Sequence, residues 1–237
     1  MLSRLGLFLA PFLFLSGCGE VPSETREARI LAVGDSLMAT HSMTGRAISN
    51  VVEQQLNEEV VDRSVIGARM IYNLPVSGAA GMSIPKQFRT GDWDWVIVNG
   101  GGNDLWLGCG CFVCKGKMNK LISEDGRRGT IPGFLYKLRQ TGAQVIYVGY
   151  LRSPGLGSPI EHCRDEGEEL ERRIDKLADL DPGVHFLSLA DLVPHGDRSF
   201  HGIDMIHPSL KASDEIGNRV AAIISNAPAP AGPNSTE

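Results

Sequence analysis

Short apolar runs alternate with longer amphipathic stretches along the chain, and this alternation predicts the order of its secondary structure. The apolar runs have the length of buried strands, and we place five strands at 30–33, 59–66, 95–99, 144–149 and 184–187. Apolar positions recur at helical spacing in the stretches 44–56, 131–141, 165–180 and 209–225. Short continuous apolar strands separated by helices are typical of a parallel sheet that is covered on both faces. The pattern therefore predicts an α/β fold.

The two ends of the chain depart from this pattern. A basic start is followed by an apolar run at 5–15, which is too short to cross the roughly 30 Å hydrocarbon core of a bilayer as a helix. Such a segment is typical of a secretory signal peptide, and we assign residues 1–17 to it. Polar residues 18–29 are expected to form a tether, and the Pro/Ala-rich tail at 226–237 is expected to be disordered. One folded domain remains, at 30–225.

Composition excludes two classes of protein. The chain has 237 residues, of which 42% are hydrophobic and 22% are charged, so it can bury a sizeable core and is not globally disordered. The net charge is −5, so no overall basic field is present to attract nucleic acid, and we expect no nucleic-acid partner.

The cysteine count of five is odd, and the first cysteine has a distinctive position. Leu15-Ser16-Gly17-Cys18 closes the apolar run and resembles the lipobox of bacterial lipoproteins, whose signal is cut before a cysteine that then carries lipid. The resemblance implies that Cys18 is lipidated. It also implies export to the cell envelope or periplasm, with the lipid anchor as the only contact with a bacterial membrane. The alternative is an ordinary secretory signal with an incidental cysteine.

The other four cysteines form an even set: Cys109, Cys111, Cys114 and Cys163. In an exported protein an even set favours two disulfides. A bond between Cys109 and Cys111 is geometrically poor, so the favoured pairings join Cys163 to one member of the cluster, beside the candidate site. The alternative is a zinc site made from the same four residues, whose ligand types would suffice. Three lysines follow the cluster and are expected on a solvated loop: Lys115, Lys117 and Lys120.

Polar residues with useful chemistry follow the predicted strands, where parallel sheets bind ligands. Ser36 follows the first strand and could act as a nucleophile if a base lies within reach. His207 follows the last strand, and Asp204 lies three residues before it, a spacing at which a carboxylate can orient the imidazole. Gly67 and Asn103 follow the second and third strands. They offer a backbone N–H and a side-chain amide to a developing oxyanion.

Each of these residues taken alone also fits a structural role. Ser36 and Asp35 are good helix N-caps, Gly67 suits a turn, and Asp204 can cap a loop. Their joint occurrence after the strands of one parallel sheet favours the catalytic interpretation.

The same residues carry a resemblance to a known family. The blocks Gly34-Asp35-Ser36, Gly67, Gly101-Gly102-Asn103-Asp104 and Asp204-Met205-Ile206-His207 occur in the order and contexts of the SGNH, or GDSL, hydrolases. The resemblance spans about 30–225. It implies a three-layer α/β/α sandwich of flavodoxin-like type with a five-stranded parallel sheet. It further implies a serine esterase or lipase mechanism that uses no metal or other cofactor.

Each block residue has an implied role in that family. Ser36 matches the nucleophile, His207 the general base and Asp204 its orienting carboxylate. The backbone N–H groups of Ser36 and Gly67 and the side-chain amide of Asn103 match the oxyanion hole. We expect a monomer that acts on an acyl ester or an acylated glycan or lipid, with the acyl chain length left open. The alternative function is a non-catalytic or metal-binding envelope lipoprotein on the same scaffold.

Overall fold

The computed structural model describes residues 28–155 and 157–227. Its strands are β1 (Ile30–Val33), β2 (Val60–Asp62), β3 (Trp95–Val98), β4 (Gln144–Val148) and β5 (Val184–Leu187). Its α-helices are α1 (Ser36–Ala39), α2 (Ile48–Leu56), α3 (Pro75–Ser77), α4 (Ile84–Gln87), α5 (Gly102–Cys109), α6 (Lys115–Leu121), α7 (Thr130–Arg139), α8 (Arg164–Ala178) and α9 (Leu210–Asn226). The predicted signal peptide, Cys18, nearly all of the tether and most of the tail lie outside the described residues.

The strands form one parallel sheet in the order β2-β1-β3-β4-β5. Every residue of β1 and β3 is buried, as expected for central strands that are covered on both faces. The predicted α/β class and the five-stranded parallel sheet are confirmed. The chain leaves β1 to one side for β2 and returns on the other side for β3, so the strand order reverses between β1 and β3. Ligands bind in the crevice at such a switch point.

Alternate side chains of each strand enter two separate cores, because successive residues of a strand point to opposite faces. Leu31 and Val33 pack in the core that also contains α5, α7 and α8. Ile30 and Ala32 pack in the core that contains α2 and α9. The sheet is thus the middle layer of three. Among the described residues, no helix combines the length and the apolar character that a membrane span requires.

Three local predictions were wrong, two in the extent of an element and one in its type. The strand predicted at 59–66 stops at Asp62, because the Asp62 carboxylate accepts hydrogen bonds from the N–H and the hydroxyl of Ser64 and turns the chain. The helix predicted at 44–56 starts only at Ile48, after a turn in which Gly45 has a φ of +66°. The three lysines lie on or beside helical turns of α6 and not on a loop, because Met118 and Leu121 of that helix are buried in the core.

The four clustered cysteines are joined in two disulfides, Cys109–Cys114 and Cys111–Cys163. The pairing of Cys163 with a member of the cluster agrees with the prediction. The second bond spans 52 residues and ties the end of α5 to the start of α8. A cysteine binds zinc as a thiolate, and neither sulfur of a disulfide is a thiolate. The pairing therefore conflicts with the zinc alternative, although the Sγ atoms of Cys111 and Cys163 lie within 4.8 Å of a nitrogen of His162.

Candidate active site

Ser36 is the first residue of α1 and follows a tightly held turn. Asp35 is the N-cap, and its Oδ1 accepts a hydrogen bond of 3.0 Å from the N–H of Leu37. Gly34 is fixed by two hydrogen bonds to the Gln87 side-chain amide, at 2.7 and 2.9 Å. A Cβ at Gly34 would lie 3.2 Å from the carbonyl oxygen of Asn99, so a larger residue would strain this turn. The cap is supplied by Asp35, and the Ser36 hydroxyl is not needed for it.

Asn103 lies in the first turn of α5 and is linked to the loop that follows β2. Its side-chain amide donates a hydrogen bond of 3.1 Å to the carbonyl of Ala68, the residue next to Gly67. Gly67 has a φ of +79°, a conformation that glycine adopts without strain. Asp104 strengthens the link, because its carboxylate accepts hydrogen bonds from the N–H groups of Met70 and Ile71 at 2.8 and 2.9 Å.

Asp104 is 1% exposed, and burial raises the pKa of its carboxyl even though the two backbone hydrogen bonds act in the opposite direction. The structure shows that Asp104 joins α5 to the loop after β2. Gly67 in that loop and Asn103 in α5 are the two candidate oxyanion donors, and Asp104 links the two elements that carry them.

His207 and Asp204 lie in the turn before α9 and contact each other directly. The Nδ1 atom of His207 is 2.5 Å from Oδ2 of Asp204, and Oδ1 of Asp204 accepts the N–H groups of Ile206 and His207 at 3.0 and 3.1 Å. Partial burial of Asp204 raises its pKa, but these hydrogen bonds outweigh burial and hold the pKa below its usual value. An ionised Asp204 can accept a hydrogen bond from Nδ1 of His207, and in the tautomer with its proton on Nδ1 the Nε2 atom is the acceptor.

One cavity of about 610 Å³ brings Ser36, Asn103 and His207 together. It opens at the carboxyl ends of β1 and β3, where the strand order predicts a ligand site. Asp204 and Gly67 are not among its lining residues; Asp204 lies behind His207, and Gly67 precedes the Ala68 carbonyl that Asn103 contacts. The arrangement offers a hydroxyl, an imidazole with a free acceptor nitrogen and an amide donor around one space.

Tyr150 belongs to the site and was not predicted from the sequence. Its hydroxyl donates a hydrogen bond of 2.5 Å to Oδ2 of Asp35 and accepts one of 3.0 Å from the N–H of Gly102. One side chain thus connects the turn before Ser36 to the start of α5. Asp35 is 1% exposed, and burial raises its pKa to about 6, although the Tyr150 hydrogen bond acts to lower it.

Replacing Tyr150 with phenylalanine should destabilise the fold more at pH 8 than at pH 4.5. The Asp35 carboxyl is neutral below its pKa of about 6 and charged above it, and a hydrogen bond to a charged group contributes about 1.5–3 kcal/mol against about 1 kcal/mol for a neutral one. Folded Asp35 favours the neutral form, so the stability that it contributes at low pH is lost as the pH rises through about 6. The variant should steepen that loss.

Urea denaturation of wild type and Tyr150→Phe at both pH values measures the difference. The exposed Tyr136 offers a matched control, because Tyr136→Phe should change the free energy of unfolding by less than about 0.5 kcal/mol at either pH. Equal destabilisation by Tyr150→Phe at pH 4.5 and pH 8 would show that the Asp35 charge does not depend on Tyr150.

Comparison with known proteins decides the family. Residues 32–214 match the model of the GDSL-like Lipase/Acylhydrolase family. This chain belongs to the GDSL-like lipase/acylhydrolase family. It is an SGNH-type ester hydrolase, and the family predicted from its sequence blocks is confirmed. No curated protein sequence matches the chain.

Several solved structures are similar to this GDSL-like chain. A protein from Slackia heliotrinireducens, provisionally assigned as an SGNH hydrolase, is 17% identical with a TM-score of 0.58, and the match covers 83% of this chain and 98% of that one. A carbohydrate acetylesterase family member from Sinorhizobium meliloti is 16% identical with a TM-score of 0.55, covering 83% and 97%.

An acetyl xylan esterase from the rumen bacterium Butyrivibrio proteoclasticus is 17% identical with a TM-score of 0.53. That match covers 84% of this chain but 64% of the neighbour. At these identities the likeness shows the shared fold.

Proposed function

We propose that this ester hydrolase works through a Ser36-His207-Asp204 triad on acyl or acetyl esters. The observation that carries the proposal is the 2.5 Å contact between Nδ1 of His207 and Asp204, at a cavity that His207 shares with Ser36 and Asn103. A serine hydroxyl is a weak nucleophile until a base accepts its proton. His207 lines the cavity with Ser36, and its Nδ1 contact with Asp204 leaves Nε2 to accept that proton.

The reaction proceeds in two halves. His207 Nε2 accepts the Ser36 hydroxyl proton as Oγ forms a bond to the ester carbonyl carbon, and Asp204 stabilises the resulting imidazolium. The tetrahedral intermediate then breaks its bond to the alcohol oxygen, which leaves with the proton from His207. In the second half, His207 takes a proton from water, the hydroxide attacks the acyl-enzyme carbonyl, and the acid leaves as Ser36 regains its proton.

Three donors stabilise the oxyanion in the proposal: the N–H groups of Ser36 and Gly67 and the Asn103 amide. An N–H at the first position of a helix has no partner within the helix, and that of Ser36 also lies at the positive end of α1. Within the described residues, no backbone hydrogen bond is donated by either Ser36 or Gly67. Asn103 uses one amide hydrogen on Ala68, which leaves its second hydrogen for the substrate.

Replacing Asn103 with alanine is expected to lower kcat by about 10²–10³-fold, since loss of one oxyanion donor costs about 3–4 kcal/mol of transition-state stabilisation. KM should change by less than about threefold, because the donor acts mainly on charge that develops during the reaction. Hydrolysis of p-nitrophenyl acetate by purified protein measures both constants. Asn119→Ala, on α6 outside the cavity lining, is the control. A variant that keeps full kcat would remove Asn103 from the oxyanion hole.

The proposed location of this activity is the bacterial cell envelope, with the protein anchored by lipid on Cys18. The lipobox-like segment Leu15-Ser16-Gly17-Cys18 supports it, and so do the two disulfides, which persist in oxidising compartments. Acylated glycans or lipids of the envelope are then the substrates within reach.

Substitution Cys18→Ala in the full chain should move the protein out of the membrane fraction, because the anchor is lost. Fractionation of expressing bacterial cells, followed by immunoblotting, measures the distribution. Ser16→Ala, which keeps a small residue in the segment, should leave the protein with the membrane. Equal membrane association of wild type and Cys18→Ala would contradict lipid anchoring.

A further inference from the structure

The cavity beside Ser36 extends well beyond the space that the reacting atoms need. Its volume is about 610 Å³, within the range of sites that enclose whole small molecules. An acetyl group has three heavy atoms, and at the roughly 30 Å³ that a water molecule takes in the liquid it would fill only about 90 Å³. The remaining volume is large enough for further parts of a substrate.

The lining beyond Ser36 and His207 has an apolar part and a polar part. The apolar part consists of Leu37, Leu105, Trp106, Leu151, Ile160 and Leu170, and the polar part of Arg152, Ser153, Arg164, Glu168 and His195. A hydrocarbon chain gains free energy from leaving water for the apolar part, whereas the hydroxyl groups of a sugar ring would lose hydrogen bonds there. The apolar part of the lining therefore matches an acyl chain better than a carbohydrate.

Two features hold the wall in place. Cys111 and Cys163 both line the cavity, and the disulfide between them fastens the end of α5 to the start of α8. Arg152 also lines it, and the buried Glu171 of α8 holds its guanidinium through a contact of 2.9 Å. A site with fixed walls binds a ligand without the cost of ordering them.

Gly167 lies on the cavity wall, inside helix α8. Glycine destabilises a helix interior relative to alanine, so the residue weakens the helix at this position. A Cβ at Gly167 would meet only the Nη1 atom of Arg152, at 4.0 Å. A larger side chain there would approach Arg152 or enter the cavity, so the absence of a side chain preserves the cavity volume.

We infer that this cavity is the acyl subsite of the enzyme, that it binds a linear acyl chain of about six to ten carbons, and that Gly167 sets its capacity. At the same volume of about 30 Å³ per heavy atom, taken from water, such a chain fills up to half of the 610 Å³ and leaves room for the ester and its alcohol. The inference rests on the proposed function, because it takes Ser36 as the atom that the ester carbonyl approaches.

The test compares wild type, Gly167→Leu and Gly133→Leu. Gly133 is an exposed helix glycine in α7, and a Cβ added there would have no neighbouring atom within 4 Å, so it controls for the effect of leucine on helix stability. The kcat/KM values for p-nitrophenyl acetate, butyrate, hexanoate, octanoate and decanoate are measured for each. Isothermal titration calorimetry with octanoate, the carboxylate product, measures binding without turnover.

For wild type we expect kcat/KM to rise by roughly two- to fourfold per methylene up to the octanoate ester. Gly167→Leu should lower kcat/KM for octanoate by at least tenfold while acetate stays within twofold, and it should weaken octanoate binding by a similar factor. Gly133→Leu should match wild type throughout. A wild-type preference for acetate, or a Gly167→Leu variant with an unchanged chain-length profile and unchanged octanoate binding, would overturn the inference.

These outcomes separate the subsite from the triad. If Ser36→Ala retained hydrolysis but Gly167→Leu still weakened octanoate binding, the proposed mechanism would fail and the subsite would stand as a binding site. If only acetate were hydrolysed, in a Ser36-dependent way and without octanoate binding, the subsite would fail and the proposed function would stand.

Discussion

Replacement of Ser36 by alanine is expected to lower kcat for ester hydrolysis by about 10⁴-fold or more, because removal of a triad nucleophile leaves only the catalysis due to binding and the oxyanion hole. The free energy of unfolding should change by less than about 0.5 kcal/mol. Asp35, not Ser36, caps helix α1, so the fold does not depend on the hydroxyl. Initial rates with p-nitrophenyl esters and urea denaturation measure the two quantities.

Ser42→Ala is the matched control for this variant. Ser42 is exposed, lies in the short helical turn after α1 and is not among the cavity-lining residues. It should keep wild-type kcat. A folded Ser36→Ala protein with more than about a tenth of wild-type kcat would contradict the assignment of the nucleophile.

Replacement of Asp204 by asparagine is expected to lower kcat by about 10²–10⁴-fold with the turn intact. The side-chain oxygen of asparagine can still accept the N–H groups of Ile206 and His207, which now contact Oδ1. Its amide then faces Nδ1 of His207 and donates to it. That hydrogen bond favours the imidazole tautomer with its proton on Nε2, which cannot accept the serine proton.

Asp197→Asn controls for loss of one carboxylate charge near this loop. Asp197 caps the short helical turn Arg198–Phe200 by accepting the N–H of Ser199 at 2.8 Å, and it does not contact His207. Steady-state kinetics at pH 7–9 should show the Asp204→Asn loss across the range. Recovery of wild-type kcat at high pH would indicate that Asp204 affects only the ionisation of His207 and not its tautomer.

The sheet was predictable because its strands are continuous apolar runs. Buried strands such as Ile30–Val33 and Trp95–Val98 contain no polar residues that would interrupt the apolar pattern. The ends of both strands were predicted to within one residue. The helix α5 was not predicted: its sequence starts with glycines and ends in a cysteine cluster, and neither signals a helix. It forms because tertiary contacts hold it, among them the Asp104 hydrogen bonds to Met70 and Ile71.

The site was predictable in part, for a related reason. Ser36, Asn103 and His207 each follow a strand end, and the parallel topology brings strand ends together, so their meeting at one cavity follows from the fold. The role of Tyr150 could not be predicted, because it depends on a contact with Asp35, 115 positions away in the chain. The same holds for the partner of Cys163, which depends on where α5 ends relative to α8.

The most direct test of the account is covalent labelling of the chain with a fluorophosphonate, a reagent that phosphonylates an activated serine with loss of fluoride. Intact-mass spectrometry followed by peptide mapping should find one adduct per chain, on Ser36, formed in step with loss of esterase activity. His207→Ala should react at least 100-fold more slowly, because no base activates the hydroxyl. Full esterase activity in a protein labelled at Ser36, or inactivation with the adduct at another residue, would contradict the account.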